Sequence, residues 1–467
     1  MDGITEIIKE GRPIGNIIAD LKSKQLDIPN WFDDLYLKYE PTKHEIVSDT
    51  TTRKDKIRKD GTKDEASRIF IGLEQLLVKR MTEFTCAIPI KRVYHNTEGN
   101  ETRQQIAQAI EKIYKYARID TENIKRLHSY YASCEACTLW YVEKKPNTFY
   151  GFNSEYKLKC RTYSPMDDIG LYPLFDDRGD MIAMSFEYIT RKGEEKIQNF
   201  ETFTADKHYR WHLNGESWVE TTPSEDIELL KIPVTYIWRP TPVFHGLSHI
   251  RKEIEYTLSR NSDVIAYNSA PILKVSGGLQ GEEQKGAEHR VYRVENGGDV
   301  SYVSWSQAIE ALKYQVESLT NLFWTQSQMP DISFSNMRAL GNIGYDARQT
   351  LLTDAHLKIG DESGAIIEML ERETNVIKAF LKMMNTTWAS EIDNIEVEHI
   401  ITPFIQNDEK AEIDKWVTAS GGKAVISQLD AIKLTGLSSN PQETLERIQA
   451  EESALNAKMN NIFESGM

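Results

Sequence analysis

Apolar residues recur at three- and four-residue intervals through much of this chain, and the places where that period breaks define its elements. From Ser248 to Ser269 a helix is predicted. Ile250, Ile254, Leu258, Ile265 and Asn268 fall near one face of it, and Arg251, Lys252, Glu255, Arg260 and Asp263 take the other. Pro271 ends it. Ile272 to Val275 is a short apolar run closed by Gly277-Gly278, a strand and turn signal. Gln280 to Glu288 is polar and reads as a tip, with His289 to Val294 as the return strand. Asn296-Gly297-Gly298-Asp299 is the strongest hairpin-turn signal in the chain, because these residues tolerate positive φ. Val300 to Trp305 is the next strand. A second helix runs from Ser306 to Gln328 on a stripe of Ile309, Leu312, Val316, Leu319 and Phe323, and Met329-Pro330-Asp331 stops it. Ile332 to Gly344 has the composition of a polar loop, with Asn336, Asn342, Gly341 and Gly344. A helical pattern then holds from Tyr345 to Asn385, about 60 Å at 1.5 Å per residue. Gly360 and Gly364 lie inside it, each costing about 1 kcal/mol against Ala. They mark a kink or a close backbone approach.

Before this stretch the chain begins with helical, charged sequence. Trp31, Phe32, Leu35 and Tyr36 form an aromatic knot, and His44 to Lys63 reads as an exposed polar arm. Within the arm, the basic run from Arg53 to Lys59 suits either phosphate contact or a solvated face. Amphipathic helices are predicted over Glu65–Phe84, Thr102–Ala117 and Thr121–Ala136. From Thr138 the period changes from helical to alternating. Strands are expected at Thr138–Glu143, Tyr156–Tyr163, Met181–Thr190, Asn199–Thr204, His208–Asn214 and Ser217–Glu220. A further strand is expected at Ile395–Ile401, with His399 on the strand surface or as a satisfied core residue. Helices follow at Glu409–Ala419, from Ser427 to Leu434, and from Asn440-Pro441 onward.

With 467 residues the chain can bury a large core, and its formal charge of −15 argues against a free-standing nucleic-acid binder. Cys134 and Cys137 form half of a zinc motif, and no second half follows. These two, with Cys86 and Cys160, are expected as reduced core thiols. No apolar run reaches the length of a membrane span. Asp167, Asp168, Asp176, Asp177 and Asp180 invite a metal or acid–base reading, but they sit in turn-forming sequence, where Asp is expected for local hydrogen bonding. A phosphate loop, a nucleophile elbow and a Cys/His nucleophile pair are all missing. Neither catalysis nor a metal or cofactor is expected. Assembly is the better-supported class. The runner-up reading is another multimeric capsid or connector component, and the distant one is a metal-dependent enzyme using Asp167, Asp176 and Asp180.

The order helix, β insert, helix, polar loop and long helix resembles the portal proteins of tailed bacteriophages, particularly the siphophage type. The matching residues are the approach Ile232-Pro-Val-Thr-Tyr-Ile-Trp, the helix starting at His249, the run from Asn268 to Gly278, and Met329-Pro-Asp-Ile. The resemblance implies an α+β, portal-like fold. Its parts would be an N-terminal helical arm (1–60), a wing of antiparallel sheet and helices (61–245), a stem helix (246–270) and a small β-rich clip (271–305). A second stem helix (306–328), a tunnel loop (329–344), a long kinked helix with the rest of the wing (345–420) and a short helical crown (421–467) would follow. It further implies a homo-oligomeric ring of twelve at one capsid vertex of the virion, assembled in the host cytoplasm. The ring would pass double-stranded DNA and meet the major capsid protein, scaffold, large terminase and head-completion or adaptor proteins, without a membrane. Asn336, Arg338 and Asn342 would reach phosphates in the channel, and Met337 and Leu340 would pack into a constriction. Gln280, Glu282, Glu283, Lys285 and Glu288 would face the motor and adaptors.

Overall fold

The structure is a computed structural model. It describes residues 2–9, 11–23, 26–57, 61–227, 229–268, 272–276, 279–284, 290–294, 299–303, 308–332, 350, 352–404, 409–421, 424–435 and 441–465. The chain divides into two compact units, Met1–Asp331 with Asp354–Phe404, and Ile332–Thr353 with Ile405–Met467.

The first unit is layered. Helices α1 (Asp2–Ile7) and α2 (Ile14–Leu21) lead into the short helical turns α3 (Tyr36–Tyr39) and α4 (Glu45–Ser48). The longer α5 (Leu73–Cys86), α6 (Glu101–Ala117) and α7 (Ile119–Ser133) follow. Strands β1 (Lys56–Ile57) and β2 (Lys63–Asp64) pair, and β3 (Lys91–His95) lies between α5 and α6. After α7 come β4 (Glu135–Asn147), β5 (Ser154–Tyr163), β6 (Gly170–Phe175), β7 (Met181–Lys192), β8 (Glu195–Phe203), β9 (Lys207–Asn214), β10 (Ser217–Asp226) and β11 (Val234–Trp238). Strands β6 to β10 form an antiparallel meander in chain order, and β11, β4 and β5 form a second sheet.

Period-2 alternation lets each sheet bury both faces. On the meander, Ala183, Phe200 and Trp211 pack under Ile17, Ile18 and Leu21 of α2. Its opposite face carries Leu171, Met184, Phe186 and Phe203 onto Cys137, Leu139, Val234 and Tyr236 of the second sheet. The far side of that sheet presents Trp140 and Leu158 to Ile106, Ile110, Ile113 and Tyr114 of α6.

Most expected elements are present, and the departures have physical reasons. Strand β4 starts at Glu135, earlier than alternation suggested, because residues 135–140 are buried on both faces and show no polar alternation. Alternation gives no strand at 170–175, where β6 lies. Pro173 sits inside it opposite Met184, which is tolerated because β6 is the sheet edge, where no ladder N–H is needed. Helix α5 begins at Leu73, not Glu65. Residues 65–72 run extended, with the backbone N–H groups of Ser67, Ile69 and Ile71 bonded to side chains of another helix. Cys86, Cys134 and Cys137 are buried and in no disulfide, while Cys160 is only partly covered. Burial pushes the Cys86 and Cys160 thiols up to about 12.

In the second unit, helices span Glu409–Ser420, Gln428–Thr435 and Pro441–Ser465. Ser427 accepts from the backbone N–H of Asp430, an N-cap as its position implied.

Candidate functional site

The centre of the first unit's possible work is a helix–strand–helix hairpin. Helix α8 spans Ser248–Asn268, and strands β12 (Ile272–Ser276), β13 (Leu279–Gln284), β14 (Arg290–Val294) and β15 (Asp299–Val303) follow. Helix α9 (Ala308–Ser327) returns along α8. The strands are nested. β12 pairs with β15, Ile272 opposite Val303, and β13 pairs with β14, Glu282 opposite Tyr292. The polar stretch expected as a tip is therefore a strand as far as Gln284, because its pairing partner is β14 and not a turn of its own.

Helix α8 buries more than its apolar stripe. Ile254 is buried as the stripe implied, but Arg251 and Glu255 of the charged face are buried as well, while Arg260 is exposed and Ile265 of the stripe is 55% exposed. The polar groups are matched one by one, as buried charge requires. Arg251 Nε donates to Glu74 Oε1 at 2.9 Å, and its Nη1 donates to Glu255 Oε2 at 2.7 Å. Glu255 Oε1 also accepts from the Ile71 backbone N–H at 3.0 Å and lies 2.6 Å from His44 Nδ1. One turn on, Ser259 Oγ accepts from the Ile69 N–H at 2.8 Å, and Asp263 Oδ1 accepts from the Ser67 N–H at 2.9 Å. Arg53 closes the row, bonding the Ser67 and Ser259 carbonyls and the Asp263 carboxylate. The segment expected as a solvated arm is thus clamped to α8, and Arg53, buried in this contact, is not available to a phosphate.

Helix α9 behaves as its stripe implied. Leu312, Val316 and Leu319 are partly covered and Phe323 is fully buried, while Tyr314 on the opposite side is 73% exposed.

Helix α10 (Thr353–Met384) is pinned to the unit at successive turns. Lys358 Nζ donates to the Ser327 carbonyl at the end of α9, at 2.6 Å. Burial, with Arg239 nearby, brings its ammonium down to about 8. Glu362 meets Arg239 at 3.0 Å and accepts from the Tyr130 hydroxyl at 3.0 Å. Glu373, fully buried, accepts from Arg126 Nη1 and Nη2 at 2.7 and 3.0 Å and from Trp140 Nε1 at 3.0 Å. Thr374 bonds the Tyr114 hydroxyl and His399 Nε2 at 2.9 and 2.8 Å. His399 lies on β16 (Glu396–Ile400), paired with β3, and burial pushes its imidazole down to about 4.

The candidate residues fall unevenly on this frame. Asn336, Met337, Arg338, Leu340 and Asn342 lie outside the described residues, as do Lys285 and Glu288. Gln280, Glu282 and Glu283 are placed on β13. Gly360 and Gly364 lie within the unbroken α10, and a Cβ at either would meet nothing within 4 Å, so neither serves a close backbone approach in this chain. Asp176 accepts from the backbone N–H groups of Arg178 and Asp180, both at 2.9 Å, and these bonds hold its carboxyl below the usual range. Asp176 is thus engaged in its own turn. Among the described residues no group of three or more His, Cys, Asp or Glu could hold a metal ion, and no helix is long and apolar enough to cross a membrane.

No curated protein matches this chain. Among solved structures, a chain from the neck of an empty gene transfer agent particle computed with C6 symmetry is 11% identical with a TM-score of 0.38, covering 86% of this chain and 95% of that one. One from the neck of the native particle computed with C12 symmetry is 12% identical with a TM-score of 0.37, covering 79% and 89%. Likeness at this level carries no functional argument. The family described as phage portal protein, SPP1 Gp6-like, matches residues 18–458, nearly the whole length. This chain therefore belongs to the SPP1 Gp6-like family of phage portal proteins.

Proposed function

We propose that this portal protein is one subunit of a twelve-membered ring at a single capsid vertex, acting as the head–tail connector and as the channel for double-stranded DNA during packaging and ejection. The observation that carries the reading is the family match over residues 18–458. The hairpin α8–β12…β15–α9, followed by the long α10, supports it. In this reading α8 and α9 are the stem that lines the channel, and β12 to β15 are the clip. Gln280, Glu282, Glu283, Lys285 and Glu288 present the clip to the large terminase and later to head-completion proteins. The two sheets, α6, α7, α10 and the helix Glu409–Ser420 form the wing, which meets capsid protein and scaffold, and the helices from Gln428 onward form the crown. Gly360 and Gly364 allow α10 to bend when the ring closes, since Gly costs little where the helix must flex.

Residues 332–344 form the channel loop. Arg338 gives each copy one cation, with Asn336 and Asn342 as neutral donors, and Met337 and Leu340 pack between neighbouring loops. A ring of single, exchangeable phosphate contacts lets DNA slide where a dense basic wall would hold it. The role is assembly and passage and not catalysis. Negative-stain averaging of the purified protein tests the reading. A ring with a central hole of about 20 Å or more, wide enough for a duplex, is the expected result. A compact, closed oligomer without a channel would overturn it.

A further inference from the structure

Two patches of opposite charge in the first unit are largely without ion pairs among the described residues. The first is a basic, aromatic corner. Lys112, Lys115 and Tyr116 share a face at the end of α6. Tyr116 stacks on Phe149 of the β4–β5 turn, with ring centroids 4.9 Å apart and planes at 29°. Lys157 Nζ lies 5.8 Å from the Phe149 centroid, and Lys112 Nζ lies against the turn at Gly151. Both rings are open to solvent, Tyr116 at 43% and Phe149 at 39%. None of the three lysines forms an ion pair among the described residues, in a chain whose formal charge is −15.

The second patch is the outer face of α10. Asp354, Leu357, Asp361, Glu368 and Glu371 fall on it at spacings of three, four, seven and three, and all are exposed. Leu357 is 63% exposed. Among the described residues, only Glu368 of these acids has an ion pair, with Arg372 four residues on. The opposite side of the helix, with Ala355, Ile359, Ile366, Met369 and Leu370, is buried.

We propose that the basic corner of one copy of this chain binds the acidic face of α10 on the next copy. Leu357 would rest on the Tyr116–Phe149 pair, and Asp354 and Asp361 would meet the flanking lysines. The two acids are seven residues apart, about 10 Å at 1.5 Å per residue, with Leu357 between them. That acid–apolar–acid order mirrors the lysine–aromatic–lysine order of the corner. The patches cannot meet within one chain. Trp388, just beyond α10, packs on Phe152 beside the corner at 5.0 Å. Asp361 lies more than six turns back along the helix, about 35 Å away. A contact between copies through two different patches is head-to-tail, the kind that closes rings, so the inference rests on the ring reading above. The charged groups also set orientation, because like charge meets like in the wrong register.

The test uses the full chain and three variants. These are Lys112→Glu/Lys115→Glu/Lys157→Glu, Asp354→Lys/Asp361→Lys/Glu371→Lys, and all six changes together. Assembly is followed by mass photometry and negative stain, and folding by circular dichroism. Each three-residue reversal is expected to raise the concentration needed for assembly by about tenfold or more, and the six-residue variant is expected to recover most of the loss. Lys112→Gln/Lys115→Gln/Lys157→Gln, which creates no new repulsion, gives a smaller loss in the same direction and covers the case in which a reversal fails to fold. Rings that form as readily in the reversed variants as in the native chain overturn the interface alone. Two impaired reversals that stay impaired when combined overturn it as well. A native chain that never forms a ring overturns the ring reading and this interface with it.

Discussion

Glu373 accepts three hydrogen bonds in a site with no exposure, so the attachment of α10 depends on its charge. Truncation would leave the Arg126 guanidinium buried without its counter-ion. Glu373→Ala is expected to destabilise the protein by about 3–5 kcal/mol, read as a lower urea midpoint at pH 7. His399 makes a second prediction. In the unfolded chain its imidazole takes a proton near 6.5, but in the folded one only near 4. Between these values the unfolded state binds more protons, so stability falls as the pH drops from about 6.5 to about 4. The contribution is on the order of 3 kcal/mol. Thermal melts across that window should show the fall, and His399→Gln should flatten it. A variant with an unchanged pH profile would sink the idea. Neither role was legible in the sequence. His399 could be read only as strand surface or satisfied core, and Glu373 belonged to no motif. Their partners Arg126, Trp140, Tyr114 and Thr374 come from three other elements and the next residue of α10.

Helix α8 teaches the same lesson for an element. Its boundaries and the burial of Ile254 followed from Pro271 and the apolar stripe, but the burial of Arg251 and Glu255 did not. An apolar stripe predicts burial only where nothing better covers the helix. Here residues 44–71 bring their own backbone N–H groups and Arg53 to the polar side. Ile265, at the end of α8, and Tyr314 of α9 stay exposed. Ser259→Ala removes the acceptor for the half-buried Ile69 N–H. It is expected to cost about 1–3 kcal/mol and to speed hydrogen exchange at Ile69 while leaving amides in the meander unchanged. Equal exchange at Ile69 in both proteins would mean that the clamp does not hold the segment.

For the whole molecule, the four cysteines give a direct check on packing. Three are buried, and burial raises Cys137 well above its ordinary value, as it does Cys86 and Cys160. The native protein should react slowly with a thiol reagent at pH 8, and all four thiols should react in denaturant. Rapid native reaction at two or more sites would contradict this core. The division into two units makes a further prediction. A chain ending at Phe404 keeps every residue of the first unit, with its α8 clamp and α10 anchors, and should still unfold cooperatively in a thermal melt.

Local chemistry determined much by itself. The alternating runs became β4, β5 and the meander strands β7 to β10, the proline and glycine breaks bounded α8 and α9, and Ser427 and Pro441 started their helices, because such signals act within a few residues. The order of those elements was also enough to suggest the portal family, which the match over residues 18–458 bears out. Tertiary structure alone decided that Arg251 and Glu255 of α8 are buried, that 65–72 is extended and not helical, and where the charges of Arg53 and Glu373 are neutralised. Each of those outcomes depends on a donor or acceptor brought from a distant part of the chain. Hydrophobic periodicity records that a surface needs covering. It does not record which polar groups arrive to match it.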